Sequence, residues 1–235
     1  MIKKLYAEIE IAGGLISALN FAFDKIGSEL RVFNENEDNY FPGAYARIEK
    51  DNKFSQIYIA SEKKLYLSDF WRDGVCLAHG GINDIDLLAE CIDYWLSPKV
   101  TTMQLADKFS FVALEEKAKA FDEGKEVEYK WQSILHDEYK KEIKSFVELA
   151  VKDKILSKLF PFTSLTTLCF SRCTGYPYTY DTPTVTPIFE TDQYLVRNGE
   201  GDEIGSGLAS EALKIVLSNL PKDIGPAIKG TSESL

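Results

Sequence analysis

The two histidines and four cysteines are the side chains of this 235-residue sequence best suited to bind a metal ion or act as nucleophiles. His79 and His136 lie far apart, and neither has a companion at a spacing typical of metal ligands. Cys169 and Cys173 are four positions apart, which in a strand directs both side chains to one face, but no second Cys or His pair accompanies them. The sequence therefore predicts no metal site, and we expect His79 to be a structural hydrogen-bonding residue.

The sequence contains no G-x-S-x-G, P-loop or H-E-x-x-H motif. The glycine-rich segment GEGDEIGSG includes Asp202 and Glu203, which would repel a phosphate group. Asp84 and Asp86 could hold a divalent cation or serve as acid and base, but their position in a first helical turn already has a structural explanation. We therefore predict no catalytic residue and no cofactor, and we favour a protein that is not an enzyme.

The most unusual stretch is FSRCTGYPYTYDTP, residues 170–183. Arg172 precedes three tyrosines, Tyr176, Tyr178 and Tyr180, which alternate with other small or polar residues. Tyrosine offers rigid amphipathic contact area and arginine a planar set of donors, so this loop suits a protein or ligand surface. The alternative is that Arg172 pairs with a carboxylate while the rings cover the edge of a sheet.

The formal net charge of −10 disfavours nucleic-acid binding, because phosphate groups would be repelled. Residues 69–93 contain six acidic residues and one basic residue, Arg72. Residues 181–211 contain seven acidic residues and one basic residue, Arg197. Such segments suit a basic protein partner; alternatively, they are solvated surfaces that keep the chain soluble. We predict a partner-binding set from the acidic segments and the tyrosine stretch: Asp69, Trp71, Asp73, Asp84, Asp86, Arg172, Tyr176, Tyr178, Tyr180, Asp202 and Glu203.

The predicted strands and helices that carry these candidate residues follow an order that occurs twice in the sequence. Residues 65–95 show an alternating strand, a glycine-marked turn, a second strand and an amphipathic helix, and residues 194–221 repeat this order more loosely. We predict an α+β fold of two similar halves, each with helices and an antiparallel sheet, packed together and joined by a helical middle segment.

The predicted domains are an N-terminal half (1–100), a helical connecting segment (101–158), a C-terminal half (159–225) and a disordered tail (226–235). In the first half we expect a helix from about Gly14, a strand over 28–33, a loop over 34–39 and an antiparallel meander ending in a helix capped by Asn83. In the second half we expect a long helix over 135–150, strands over 164–171, 186–191 and 193–198, and a final helix that ends before Pro221.

The compartment is predicted to be the cytoplasm. No run approaches the roughly 18 apolar residues that a membrane-spanning helix needs. Glu8 and Glu10 lie where a signal peptide would carry its apolar block. Four scattered cysteines indicate reduced thiols rather than a disulfide framework.

Three groups of residues together resemble an uncharacterised bacterial family known only as a domain of unknown function. The first group is Trp71, Gly74, Leu77, Ala78 and Gly80, followed by the helix that ends at residues 94–96; the others are Glu128 with Trp131, and LFPFTSLTTLCFSRCTGYPY over residues 159–178. The resemblance covers about residues 13–221. It implies a small cytoplasmic bacterial protein without a known cofactor, and it assigns no catalytic residues.

These observations favour an interaction protein, most concretely an immunity protein that neutralises a basic toxin domain. One alternative is an enzyme or ligand-binding module with a pocket between the halves, in which Arg172 and His79 face a small anionic substrate. Another is an adaptor subunit of a secretion or biosynthetic cluster.

Overall fold

The computed structural model describes residues 5–33 and 45–235 of the chain, and the chain divides into two compact units. Unit 1 is Met1–Asp122 and unit 2 is Glu123–Leu235. Each unit contains helices and one five-stranded antiparallel sheet whose strands lie side by side in sequence order. The predicted α+β fold with two similar halves is confirmed.

The described residues of unit 1 contain two helices, then a four-stranded meander, and then three helices and a short fifth strand. The predicted meander over residues 45–82 is confirmed, whereas the strand predicted over 28–33 is irregular and the loop predicted over 34–39 lies outside the described residues. The elements are α1 (Ala7–Ala12), α2 (Leu15–Lys25), β1 (Tyr45–Lys50), β2 (Lys53–Ile59), β3 (Tyr66–Arg72), β4 (Val75–Ile82), α3 (Ile85–Trp95), α4 (Thr102–Lys108), β5 (Val112–Leu114) and α5 (Ala118–Glu123).

The core of unit 1 lies between its helices and one face of the sheet. Helix α3 buries an apolar stripe that includes Leu88, Ile92 and Trp95. Apolar residues on the inner face of the strands, such as Ile57 and Phe70, belong to the same cluster. Asp84, one position later than predicted, caps α3 by accepting hydrogen bonds from the amides of Asp86 (2.9 Å) and Leu87 (3.1 Å).

The middle of the chain is not a separate connecting segment. Strand β5 lies within the stretch predicted to be helical, and it pairs with β4, so residues up to Asp122 belong to unit 1. Three residues are too few to show a period of two in the sequence, and β5 is specified by its pairing with β4 rather than by its own pattern.

The carboxyl end of α3 is capped by a buried lysine. Lys53 is only 3% exposed, and its Nζ donates hydrogen bonds to the carbonyl oxygens of Trp95 (3.0 Å), Ser97 (2.9 Å) and Val100 (2.6 Å). Its ammonium group also lies 4.4 Å from the centre of the Trp95 ring. These contacts join β2 to α3 and the turn that follows it.

Unit 2 consists of two helices, five consecutive strands and a final helix. A 3-10 helix replaces the first part of the long helix predicted over 135–150. The strand predicted over 164–171 is confirmed from Thr167 onward, and it pairs with a strand that was not predicted, Phe160–Ser164, across a turn at Leu165, where φ is 54°. The elements are α6 (Glu126–Leu135), a 3-10 helix (Glu138–Ile143), α7 (Lys144–Ala150), a 3-10 helix (Leu156–Lys158), β6 (Phe160–Ser164), β7 (Thr167–Ser171), β8 (Thr184–Pro187), β9 (Gln193–Arg197), β10 (Glu203–Leu208), α8 (Ala209–Ser218) and a 3-10 helix (Ser232–Ser234).

The two units share one order of elements, in which two consecutive strands are followed by a helix. Strands β3 and β4 followed by α3 correspond to β9 and β10 followed by α8, which is the repeat that the sequence predicts. The fifth strands differ: β5 joins unit 1 beside β4, while β6 joins unit 2 beside β7, at the other edge. The fifth strand of each sheet is therefore added at a different edge: after the fourth strand in unit 1 and before the other four in unit 2.

Among the described residues, no helix has the length and apolar character needed to cross a membrane.

We expect Lys53→Met to lower the free energy of unfolding at pH 7 by about 1–3 kcal/mol, because three carbonyl groups lose a buried donor. Burial, and secondarily the charge of Arg72, lowers the pKa of Lys53 from 10.5 to about 8. Between these values the unfolded chain binds more protons than the folded chain, so the stabilising contribution of Lys53 grows as the pH rises.

Chemical denaturation at several pH values measures this effect. The difference in unfolding free energy between the wild type and Lys53→Met should increase from pH 8 to pH 10.5, by up to about 3 kcal/mol. Lys50→Met, which removes an exposed lysine from the neighbouring strand, should show no such increase. A constant or shrinking difference for Lys53→Met would contradict this account.

Candidate functional site

Residues 172–183, here called the tyrosine loop, cover one face of the unit 2 sheet. Phe160 and Phe162 of β6 lie outside the core cluster that the sheet shares with the helices of unit 2. The ring of Tyr178 stacks on both, with centroid separations of 5.7 Å and 4.4 Å. The loop therefore supplies the apolar cover that helices supply on the opposite face.

Buried hydroxyl groups attach the tyrosine loop to the end of β7. Thr182 donates from its hydroxyl to the carbonyl of Phe170 at 2.6 Å, and the hydroxyl of Thr179 accepts from the amide of Arg172 at 2.9 Å. The amide of Thr179 donates in turn to Ser171 Oγ at 3.2 Å. Because these three hydroxyl residues are all buried, the bonds are shielded from water and hold the loop in one conformation.

The C-terminal tail holds the tyrosine loop from its other side. Residues 226–235, predicted to be disordered, instead pair with the loop through a parallel bridge between Cys173 and Ile228. The prediction was wrong because KGTSESL carries no apolar periodicity. Its order comes instead from backbone hydrogen bonds to residues far away in the sequence. These bonds join Ile228 N to Arg172 O, Thr174 N to Ile228 O, Gly175 N to Gly230 O and Ser232 N to Pro177 O.

Two rings of the tyrosine loop remain open to solvent. Tyr176 is 66% exposed and Tyr180 is 57% exposed. Each meets a packed ring edge to face: Tyr176 on Tyr178 at 5.9 Å and Tyr180 on Phe162 at 5.6 Å. The loop thus combines one covering tyrosine with two exposed tyrosines that rest on it and on β6.

The cation of the tyrosine loop is already paired. Arg172 Nη2 lies 2.6 Å from Asp181 Oδ2, and both side chains are partly exposed. The loop has features of both alternatives that the sequence left open. Arg172 has a carboxylate partner and Tyr178 covers the sheet, whereas two further rings face outward and are available to a partner.

The hairpin turn between β9 and β10 lies directly beside the tyrosine loop. Asn198 shapes this turn by accepting from the amide of Asp202 at 2.8 Å, and Asp202 and Glu203 are exposed. Gly199 approaches the loop so closely that a Cβ there would lie 2.8 Å from the carbonyl oxygen of Tyr180. We call residues 198–203 the acidic turn. The unit 2 residues predicted to bind a partner therefore lie in two adjacent segments.

The unit 1 residues predicted to bind a partner are spread over different places. Asp73 lies in the turn between β3 and β4, whereas Asp84 and Asp86 follow the far end of β4, whose eight residues span about 25 Å. Asp84 is occupied as the helix cap, and Asp86 forms an ion pair with Lys25. These acids do not form one continuous surface.

Trp71 and Asp73 also have local partners. Trp71 stacks on Phe54 of the neighbouring strand, with ring centroids 5.2 Å apart and planes at 10°. Asp73 accepts from Asn52 Nδ2 at 2.6 Å and lies 3.8 Å from Arg72. Both side chains therefore stabilise the sheet of unit 1.

His79 lies on the exposed face of the unit 1 sheet between two carboxylates. Its Nδ1 is 2.8 Å from Asp69 Oδ1, and its Nε2 is 2.7 Å from Glu115 Oε1. Cys76 Sγ lies 3.9 Å and 3.8 Å from the two ring nitrogens. These contacts fit the hydrogen-bonding role expected of His79. Cys76 lies three positions before it, a C-x-x-H spacing that the prediction of no companion at metal-ligand spacing did not include.

A β-bulge explains why these side chains meet. Residues three apart on a regular strand face opposite sides of a sheet. Here Phe70 pairs with Ala78 and Trp71 pairs with Cys76, so Leu77 is an extra residue on β4. This extra residue returns Cys76 to the face that carries His79.

The cluster contains the residue types of a cysteine nucleophile with a histidine base and an orienting carboxylate. Its protonation does not suit that chemistry. Burial raises the pKa of the Cys76 thiol to about 11, so the thiol is protonated at neutral pH. Desolvation opposes protonation of His79, but the hydrogen bonds to Asp69 and Glu115 outweigh it and raise its pKa above the ordinary value. Both ring nitrogens of His79 are also engaged by carboxylates, so neither is left to accept the thiol proton.

Unit 2 also contains a surface groove of about 1130 Å³. The residues that line it include Lys141, Glu142, Glu190 and Asp192. It therefore offers charges of both signs at an open surface, and Arg172 does not line it. The groove provides no concentrated positive charge for a small anion.

Part of the chain matches a known family model. Residues 125–231 match a family of unknown function (DUF6193). This range lies within unit 2 and includes the tyrosine loop and the acidic turn. The resemblance to an uncharacterised family is confirmed for DUF6193 over unit 2, while the motif around Trp71 lies outside the matched range. No curated protein and no solved structure matches the chain.

Removing residues 226–235 should lower the free energy of unfolding by about 2–5 kcal/mol, because several backbone hydrogen bonds to the tyrosine loop are lost. Amide hydrogen exchange gives a local measurement: the amides of Thr174 and Gly175, whose acceptors lie in the tail, should exchange much faster. A shorter truncation that removes only residues 233–235 leaves those acceptors in place and should preserve protection. Equal protection in both truncations would contradict the role given to the tail.

Proposed function

We propose that this chain is a bacterial interaction protein, and specifically an immunity protein that binds and neutralises a basic toxin domain in the cytoplasm. The observation that carries the proposal is the pair of exposed rings, Tyr176 and Tyr180, on a loop fixed by stacking, buried hydroxyl bonds and the tail. Binding through this surface needs no catalytic group, because an immunity protein acts by occupying its target.

The rigidity of the tyrosine loop favours recognition. Ordering flexible side chains and loops at an interface costs free energy, and a loop already held in one conformation avoids much of this cost. Tyrosine combines a large apolar ring with a hydrogen-bonding hydroxyl, and it is enriched among residues that dominate binding energy. Tyr176 and Tyr180 would serve as anchors around which the rest of the contact surface closes.

The charge of the neighbouring acidic turn favours a basic partner. Between residues 181 and 211, seven acids stand against Arg197 alone. Asp181 is matched by Arg172, while Asp202 and Glu203 are exposed next to the loop. An acidic turn beside aromatic anchors would steer a positively charged domain toward the tyrosines.

The decisive functional test uses the protein encoded beside this gene. Expression of a toxic neighbouring domain alone should arrest growth, co-expression of the full chain should restore it, and the two purified proteins should form a stoichiometric complex. The immunity function is excluded if no neighbouring product arrests growth or binds the chain. In that case an adaptor subunit becomes the better explanation for the same surface.

The tyrosine anchors predict the effect of a paired substitution. Tyr176→Ala combined with Tyr180→Ala should weaken the complex by roughly 30-fold or more, because anchor residues of this type contribute about 2 kcal/mol or more. The matched control is Tyr45→Ala with Tyr58→Ala, which removes two partly exposed, contacting tyrosines from unit 1. Calorimetry or interferometry measures both. Unchanged affinity in the first variant would remove the tyrosine loop from the interface.

The acidic turn predicts a kinetic signature. Asp202→Asn with Glu203→Gln should slow association and reduce its dependence on salt, with a smaller effect on dissociation, since exposed charges act mainly through steering. Glu142→Gln with Glu148→Gln removes the same charge from exposed positions elsewhere in unit 2 and serves as the control. Stopped-flow association rates at low and high salt separate the two variants. Identical salt slopes would rule out steering by the turn.

A further inference from the structure

We propose that Asp69, Cys76 and His79 form a binding site in unit 1 for a divalent transition-metal ion of the zinc class. One donor atom from each of these residues lies within 4.8 Å of the other two. A thiolate, an imidazole nitrogen and a carboxylate oxygen are the three ligand types that zinc takes from proteins. The proposal rests on unit 1 alone and is independent of the proposed partner-binding function.

The three donor atoms are close enough to share one tetrahedral ion once their side chains turn toward it. Zinc lies about 2.0–2.3 Å from its ligands, which places neighbouring ligand atoms roughly 3.3–3.8 Å apart. Cys76 Sγ is 3.9 Å from His79 Nδ1 and 3.8 Å from Nε2, so its side chain must turn toward Nδ1 to share an ion bound there. Asp69 Oδ1 is 2.8 Å from the same nitrogen, a hydrogen-bond distance that widens when an ion replaces the shared proton.

Glu115 completes the arrangement as an outer partner of His79. It lies 2.7 Å from Nε2, the ring nitrogen left over when Nδ1 faces the ion. Metal-binding histidines commonly donate this second N–H to a carboxylate, which fixes the ring orientation and the protonated nitrogen. Glu115 is therefore a positioning residue in this site.

The scaffold and exposure also suit a metal ion. Asp69, Cys76 and His79 belong to two hydrogen-bonded strands, and the bulge at Leu77 sets their common orientation. The side chain of His79 is 50% exposed, so an ion can enter from solvent. Three protein ligands leave a fourth position for water or for a donor from another molecule.

The proton balance of binding is simple. The ion bonds to Cys76 Sγ and displaces the thiol proton to solvent, and it takes the Nδ1 lone pair after the ring has lost its second proton. The Cys76 thiolate and the Asp69 carboxylate then neutralise the two charges of the ion. No oxidant or reductant is involved.

Cobalt(II) provides the direct test because a cobalt–thiolate bond gives an intense charge-transfer absorption. Titration of the reduced, metal-free full chain should show this band and saturate at one cobalt per chain. Zinc should displace the cobalt, and excess zinc should raise the Tm by mass action. A chain that binds no cobalt at this stoichiometry, or binds it without a thiolate band, overturns the proposal.

Variants assign the ligands. Cys76→Ser should abolish the thiolate band, His79→Gln should reduce cobalt affinity at least 100-fold, and Glu115→Gln should reduce it about 10- to 100-fold as an outer partner. His136→Gln is the control, because it removes the other histidine and should leave binding unchanged. If Cys76→Ser fails to fold, the exposed His79→Gln decides. Full binding by His79→Gln, or survival of the band in a folded Cys76→Ser, refutes the site.

Discussion

The two faces of each sheet impose the constraint on which the rest of the structure depends. Side chains alternate along a strand, so helices packed on one face leave a second set of side chains pointing outward. Unit 1 leaves that outer set partly exposed, with Phe54 and Trp71 stacked beside the His79 cluster. Unit 2 instead covers its outer phenylalanines with the tyrosine loop. Both candidate sites therefore lie on the outer face of a sheet, which is partly exposed in unit 1 and covered by a loop in unit 2.

In unit 2, the tyrosine loop both covers the sheet and exposes aromatic rings to solvent. Tyr178 stacks on Phe162 and is partly buried, and this packing fixes the positions of Tyr176 and Tyr180 on either side of it. The tail then closes the loop from behind through backbone hydrogen bonds. A rigid aromatic surface follows directly from the need to bury apolar area on a sheet without a second layer of helices.

In unit 1, the same outer face carries polar chemistry because a bulge changes the orientation of one residue. The extra residue Leu77 places Cys76 beside His79, and Asp69 and Glu115 approach from the adjacent strands. Bulges often redirect side chains in this way at functional sites. The two units therefore share a pattern of strands and helices, but they differ in the sheet face that the helices leave open.

The sequence by itself determined the elements with strong periodicity. The alternation in residues 45–82 predicts the meander, and the apolar stripe before Pro98 predicts α3, because burial on one side of a strand or helix imposes a period on the residues. The repeat of strand, turn, strand and helix in residues 65–95 and 194–221 is visible for the same reason. Tyr176 and Tyr180 could also be singled out by their composition and spacing.

Only the tertiary structure decided the features that depend on residues distant in sequence. The tail is ordered by pairing with Cys173, β5 by pairing with β4, and Lys53 by carbonyl groups more than 40 residues away. The His79 cluster depends on the register of two strands and on a bulge. Neither feature produces a periodic pattern in the sequence. The acids near Asp73 and Asp84 look adjacent in the sequence, yet an extended strand separates them. Local periodicity records which side of an element is buried, whereas long-range hydrogen bonding and register determine which side chains meet.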